Sequence, residues 1–509
     1  MSTTEPAVAL PDGPDPYTPA TEDAEVHDPL HAPFLWTVVG LVMAALWLRP
    51  MGSSLWTDEL GTWWVISGSG REVVSRAEAV QGQSPVYYLI EWAAKHLVGR
   101  SEFGLRLPSL IFSIAAAFIV YRIAKRLVDV ETARIAVIAF AVWPAIAFAA
   151  SDARPYALAT LAVVAATWAV IHWLDAGHLR AAALYVVLAA IVSYVHPLFG
   201  LVVIPHAIYA LARIREGSTS VRPRALVLAL VGIALLAIPV ALELLALSRR
   251  RQDWSVPNAA SVSWVVLMLV PPALVGAAVI GGLVALTSER VRTGTRRFPR
   301  STVTLLIGWA LIPPAILVGL SVVSSIDLLE ARYFLCAAPA GVLLAAIGAR
   351  AIEPAEGRRI VVLVFVILSI LDLASPVKSG DFRAAAASVR SVADDRSVIL
   401  VRSGFQESLQ RSWHTDPARQ GLLTAATDFY AVPGRVVPLP ANLDPTTVDF
   451  VRSQVQRSIA TTNHVVVVTL TGSAYGPWFD QYMDDHGWTG DLVSNVNLFT
   501  IMEFRRGST

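Results

Sequence analysis

Apolar residues run in blocks along the first three quarters of this chain, and the blocks stop near residue 374. They fall at 33–50, 106–124, 133–150, 156–174, 181–195, 198–212, 225–247, 262–286, 302–323, 333–349 and 360–373. A helix rises 1.5 Å per residue, so runs of this length predict about eleven transmembrane helices. The pair 181–195 and 198–212 is short and broken at His196-Pro197, so it reads either as two crossings or as one kinked element. Between the first two blocks, residues 51–105 form a loop much longer than a connection requires, and such loops usually carry function. Within it, Val86, Tyr87, Leu89, Ile90, Trp92, Ala93 and Leu97 alternate at helical period with Glu91, Lys95 and His96. That pattern predicts an amphipathic helix lying on the membrane surface.

Beyond residue 374 the period changes. Ser397–Val401, His464–Val468 and Leu498–Met502 read as strands, and Thr446–Ile459 reads as a helix. Residues 374–509 are therefore expected to form a small α/β domain. No nucleophile elbow, phosphate-binding glycine loop or zinc spacing occurs in it, and Asp484-Asp485 reads as a solvated pair. At the other end, residues 1–32 are acidic and proline-rich (Glu5, Pro11, Asp12, Asp15, Glu22, Asp23), with too little apolar surface to order themselves. A disordered cytoplasmic tail is expected there. It lacks the basic start and the cleavage site of a signal peptide.

Arginine and lysine placement orients the helices. Short loops on one side hold Arg122, Lys125, Arg126 and Arg134, then Arg213, Arg215, Arg222 and Arg224, then Arg290 to Arg300, then Arg350, Arg358 and Arg359. That side is assigned to the cytoplasm. The loop 51–105 and the domain 374–509 then face outwards, in a multi-pass protein of the plasma membrane. Arg249-Arg250-Arg251 break the rule by falling outside, which suggests an extracytoplasmic anion.

Composition confirms the class. Of 509 residues 55% are hydrophobic and 16% charged, and the mean hydropathy is +0.57, as for a polytopic membrane protein. A net charge of +1 gives no electrostatic argument for a nucleic-acid partner. Cys336 is the sole cysteine, which excludes an intramolecular disulfide and thiolate-built zinc sites.

The candidate chemistry gathers at the outer ends of the helices. Asp58 and Glu59 lie among Trp56, Trp63 and Trp64 directly after the first block; Asp152 and Arg154 join the third and fourth. His196 ends the fifth, and Asp327, Glu330 and Arg332 precede the tenth. Each has a plainer reading: Arg154 snorkelling, His196 closing a helix, Arg332 pairing with Glu330, Arg249 and Arg250 touching lipid headgroups. Their convergence on one face is what a chance scatter would rarely produce. It fits transfer of a group from a lipid phosphate, with a carboxylate as general base toward an acceptor hydroxyl and arginines or a divalent cation stabilising the departing phosphate. His206, deep in a predicted span, reads as structural.

The order of these segments resembles a known family. Trp56-Thr57-Asp58-Glu59 is followed by Gln83-Ser84-Pro85-Val86-Tyr87-Tyr88-Leu89, Gly104-Leu105-Arg106-Leu107-Pro108-Ser109, Ala153-Arg154-Pro155-Tyr156-Ala157-Leu158, Tyr194-Val195-His196 and Ala331-Arg332-Tyr333-Phe334. Over residues 33–373 this resembles the GT-C glycosyltransferases, in the branch of the protein O-mannosyltransferases and the lipid A aminoarabinose transferase. The resemblance implies a GT-C-like catalytic membrane domain, a polyprenyl-phosphate-sugar donor and an inverting single displacement. It also implies an acceptor that is an extracytoplasmic glycan, lipid or protein. Asp58 takes the position of the catalytic base, with Glu59 supporting it or holding a cation. Arg154, Arg332, Arg249, Arg250, Gln83, Tyr87, Tyr156 and Tyr333 are implied contacts to donor or phosphate, and His196 a metal or donor ligand. Where relatives often carry a charged residue or histidine before Pro-Pro-Leu, this chain has Gln83-Ser84-Pro85-Val86. Its alanine-, valine- and arginine-rich composition suits a high-GC actinobacterium. On the resemblance, that favours decaprenyl-phosphate-mannose as donor, with decaprenyl-phosphate-arabinose the alternative. The rival class is a carrier for a lipid-linked sugar, which would show internal repeats and midplane polar groups.

Overall fold

The computed structural model of the chain describes residues 37, 40–78, 84–251, 270–287, 292–293, 298–323, 328–353, 355–373 and 380–507. The tail expected at 1–32 lies outside the described residues, as do Gln83 and Asp327.

Three helices build the long first loop: α1 (Thr57–Ile66), α2 (Gly70–Arg76) and α3 (Val86–Val98). The bundle follows: α4 (Glu102–Leu127), α5 (Val130–Val142), α6 (Pro144–Ala150), α7 (Tyr156–Ala176), α8 (Leu179–Val195), α9 (Val203–Arg215), α10 (Pro223–Arg251), α11 (Pro272–Thr287), α12 (Arg300–Val323), α13 (Ala338–Arg350) and α14 (Ala355–Leu373). Among the described residues six helices are long and apolar enough to cross a membrane, and the pair α5–α6, bent by 66° at Trp143-Pro144, is either a broken seventh span or a re-entrant segment. Proline explains that break, because its ring cannot continue the hydrogen-bond ladder of α5. At His196-Pro197 the chain passes through a 3₁₀ turn, Pro197–Val202, before α9. That segment and α9 together are long enough to cross, so residues 197–215 form one span and the shorter α8 precedes it.

The far end of the bundle is tied by charges. Asp175 pairs with Arg126 at 2.9 Å and Arg213 at 3.1 Å, while Glu131 binds both Arg350 and Arg358. These are the arginines that orient the sequence. The loops 151–155, 196–202 and 328–332 gather at the opposite end, together with α1.

Residues 380–507 carry a five-stranded sheet in the order β2-β1-β3-β5-β4, made from β1 (Val398–Arg402), β2 (Arg435–Leu439), β3 (His464–Leu470), β4 (Trp488–Val496) and β5 (Phe499–Arg506). The first three strands are parallel and β5 runs antiparallel to both neighbours. The central β3 is buried on both faces, as its run of four valines requires. The crossover from β1 to β2, residues 403–434, leaves the sheet and packs on α1. Trp413, Leu422, Leu423 and Phe429 join Leu60, Trp63 and Trp64 in one apolar core. The approach is close: a Cβ on Gly421 would stand 2.8 Å from Trp64 Nε1. Trp63 Nε1 donates to Asp428 Oδ2 at 2.6 Å, Leu55 N donates to Tyr430 Oη at 2.8 Å, and Arg383 pairs with Glu102. The α/β unit is thus fastened to the loop that carries Asp58.

Candidate active site

Helix α1 begins directly after Trp56, and a capping box forms in which the N3 residue, Glu59, reaches back to the Trp56 N–H at 3.2 Å. The arrangement leaves Asp58 at the helix start, on the side facing the bundle mouth. Its carboxylate, about a quarter exposed, is ion-paired with Arg332. Arg332 comes from the 3₁₀ turn Ala331–Ala337 ahead of α13, more than 270 residues away in sequence.

Arg154 lies beside this pair. It is buried, with Nη1 at 3.4 Å from the Asp58 carbonyl oxygen and 3.4 Å from the Tyr88 hydroxyl. Asp152, also buried, accepts from Trp56 Nε1 at 2.8 Å, and its backbone carbonyl accepts from Ser109 Oγ at 2.7 Å. The loop 151–155 is therefore pinned from both sides, which fixes Arg154. His196 forms the far wall. Its ring is caged by Tyr156 (5.6 Å between centroids), Phe199 (4.5 Å) and Tyr333 (5.6 Å), and its Nδ1 finds no hydrogen-bond partner among the described residues. Arg332 in turn lies over the Tyr333 ring at 5.8 Å. One carboxylate, two guanidinium groups and an aromatic cage therefore meet at one mouth.

Two expectations change and a third goes untested. Glu59 does not flank Asp58 as a second acid or as a cation ligand. Helical geometry turns it about 100° away, and it sits fully buried against Arg106, with contacts of 2.7 and 2.5 Å to its two oxygens. Glu59 Oε1 also accepts the Ala153 N–H at 3.0 Å, and Arg106 donates to the carbonyls of Pro50, Met51, Ser53 and Ser54. This pair holds the loop from within the interior. Tyr87, second, lies beside Glu91 on its own helix, and its neighbour Tyr88 is the tyrosine that meets Arg154. Burial pushes the Tyr88 phenol above its ordinary value, and Arg154 partly offsets this. The third concerns Arg249 and Arg250, which end α10 but whose side chains, like Gln83, lie outside the described residues.

The described residues do not assemble a donor set for a divalent cation. Glu59 is engaged by Arg106, Asp58 faces Arg332, and His196 stands in an aromatic cage. Among the described residues no three His, Cys, Asp or Glu side chains converge. Sequence reasoning did not single out Arg106, Tyr88 or Glu91. Arg106 and Tyr88 both lie in the family-like segments, but nothing in sequence indicates their partners.

A family model, the dolichyl-phosphate-mannose-protein mannosyltransferases, matches residues 82–243, roughly a third of the chain. Among solved structures, ArnT from Cupriavidus metallidurans bound to undecaprenyl phosphate is similar with a TM-score of 0.55 at 11% identity, over 93% of this chain and 98% of that one. The arabinofuranosyltransferase AftD from Mycobacteria (TM-score 0.48, 15% identity, 93% of this chain and 40% of that) is more distant in shape. So is the Archaeoglobus fulgidus oligosaccharyltransferase (0.47, 10% identity, 85% and 69%). No curated protein sequence matches. The likeness to ArnT shows a shared fold, and the class read from the sequence, a polytopic helical membrane protein with a C-terminal α/β unit, stands, its count of eleven spans aside.

Proposed function

We propose that the protein moves one sugar from a polyprenyl-phosphate donor to an extracytoplasmic acceptor, inverting the anomeric centre in a single displacement. The observation that carries this reading is the Asp58–Arg332 pair at the bundle mouth, flanked by Arg154 and open to water on one side. The donor phosphate competes with Asp58 for Arg332 and is held by Arg154 as well, since guanidinium forks suit phosphate oxygens. That exchange releases the Asp58 carboxylate toward an acceptor hydroxyl. The hydroxyl oxygen attacks the anomeric carbon, its proton passes to Asp58, and the electron pair of the breaking bond leaves with the polyprenyl phosphate. Arginines that stay charged throughout stabilise the leaving phosphate without needing a proton. Tyr88, Tyr156, Tyr333 and His196 wall the sugar end. The positively charged loops at the opposite end support a cytoplasmic N-terminus and an external site in the plasma membrane.

Mannose is the favoured sugar, because the family model over residues 82–243 carries that name. The acceptor class stays at glycan, lipid or protein of the cell envelope. The test is transfer from labelled polyprenyl-phosphate-mannose, and in parallel from the arabinose donor, by protein in lipid nanodiscs with envelope acceptors. Transfer from one donor that Asp58→Asn abolishes supports the reading and names the sugar. Movement of intact donor across the bilayer with no transfer would replace it with a carrier.

A further inference from the structure

A second polar site stands apart from the mouth, where the α/β unit meets the membrane edge. Arg100, Ser101 and Glu102 on one side and Arg383, Arg390, Phe429, Tyr430 and Ala431 on the other line a cleft of about 580 Å³. Three guanidinium groups face one carboxylate, and that carboxylate, Glu102, belongs to Arg383.

The plain reading is that Arg100 and Arg390 merely close the short helix Ala425–Phe429. They do so in part: Arg100 donates to the carbonyls of Asp428 and Phe429, and Arg390 to that of Tyr430. Capping uses two of the five N–H donors of Arg100 and one of those of Arg390. It supplies dipoles but no counter-charge, and no carboxylate pairs with either residue among the described residues. Arg100 is also held rigid, stacked 4.9 Å from the Trp63 ring and 5.4 Å from Phe429. A fixed cation with spare donors is a preorganised anion site. Ala431, in the wall, is held at φ 49°, a conformation costly for a residue with a side chain.

A second observation says which anion. Arg100 lies two residues before Glu102, where the spanning helix α4 enters the membrane. Around it Leu97 is 86% exposed and Phe103 46% exposed, apolar side chains that only lipid would cover. Cations at headgroup level beside exposed apolar residues are how a protein grips an anionic lipid.

We propose that this cleft binds the phosphate headgroup of an anionic lipid, with Arg100 and Arg390 on the phosphate and Leu97 and Phe103 along its chain. The site is independent of the transfer reaction at Asp58. Its walls nonetheless include Tyr430 and Arg383, which hold Leu55 and Gly52 in the stretch leading to Asp58. An occupied cleft therefore tightens the joint between the α/β unit and the catalytic loop.

The test is native mass spectrometry of the full chain in detergent, titrated with phosphatidylglycerol, with polyprenyl phosphate and with phosphatidylcholine. The wild type is expected to retain one of the two anionic lipids at least tenfold more strongly than phosphatidylcholine, and the stronger of the two identifies the headgroup. Arg390→Gln, on the surface, and the double variant Arg100→Gln/Arg390→Gln should lose that preference about tenfold, while Arg390→Lys keeps most of it. Equal retention by wild type and both variants would overturn the proposal. So would inorganic phosphate binding with no lipid preference.

Discussion

Arg106 grips both oxygens of Glu59 with neither side chain reaching solvent. A charge pair of this kind is costly to break from one side, because the survivor is left buried and uncompensated. Glu59→Ala or Arg106→Ala is therefore expected to lose about 3–5 kcal/mol of stability, seen as a large fall in the melting temperature in detergent. Arg106→Met with Glu59→Gln should recover part of it.

Asp58 predicts the opposite split between stability and activity. It is part-exposed and paired at one edge, so Asp58→Asn should leave the melting temperature within a few degrees of wild type. A positioned base contributes roughly 10²–10⁴-fold in rate, and transfer should fall by at least that much. Arg332→Gln, removing a charge that the proposed reaction sets against the leaving phosphate, should cost about 10²–10³-fold in kcat. A variant at Asp58 that transfers sugar at the wild-type rate removes it from the mechanism.

Glu91 gives stability a pH dependence. Burial pushes its carboxyl from 4.5 up to about 8; Tyr87 offsets this in part and Glu59 adds to it. The folded state keeps a proton that the unfolded chain gives up, so stability declines as pH rises from about 4.5 to about 8 and then levels off. Glu91→Gln should flatten that slope and be more stable than wild type at pH 8. Melting curves between pH 5 and 9 decide it.

Tyr430 ties the α/β unit to the stretch leading to Asp58 through Leu55 N at 2.8 Å and Ser54 Oγ at 3.2 Å. Tyr430→Phe leaves a buried N–H without its acceptor, at a cost of about 1–3 kcal/mol. Because the stretch it holds leads straight to Asp58, kcat should drop several-fold with little change in KM for the donor. A change confined to KM would assign Tyr430 to binding instead.

The donor set at the mouth predicts indifference to chelation. Transfer should continue in EDTA at a rate close to that without it. A loss restored by added magnesium or manganese would show that Asp58 or His196 recruits a cation when donor is bound.

The spans were legible in the sequence because hydropathy is a local property, and the runs at 106–124, 156–174 and 302–323 became helices within a few residues. Asp58, Arg154, His196 and Arg332 were legible because each is an ionisable group at the same end of an apolar run. What stayed hidden was the facing of neighbours. Asp58 and Glu59 are adjacent in sequence, yet one helical step sends the first to the mouth and the second into the interior against Arg106. Tyr87 and Tyr88 are both buried with rings 5.4 Å apart, yet only Tyr88 meets Arg154. Periodicity gives the phase of a helix only when its two faces differ in polarity, and a pair of tyrosines does not reveal it. Hydropathy made 133–150 a single helix and gave no sign of its 66° break at Trp143-Pro144.

The buried clasp between Glu59 and Arg106 also bears on how the chain is made. Arg106 is synthesised 47 residues after Glu59, and Ala153, which donates to the same carboxylate, 94 residues after. At roughly 5–20 residues per second, translation leaves the carboxylate waiting on the order of 2–10 s for its arginine. The Glu59 carboxylate therefore gains its full set of partners only once α4 and the 151–155 loop have been made. On the proposed function, competence for transfer comes late, because a chain stalled before Arg106 carries Asp58 without its neighbours.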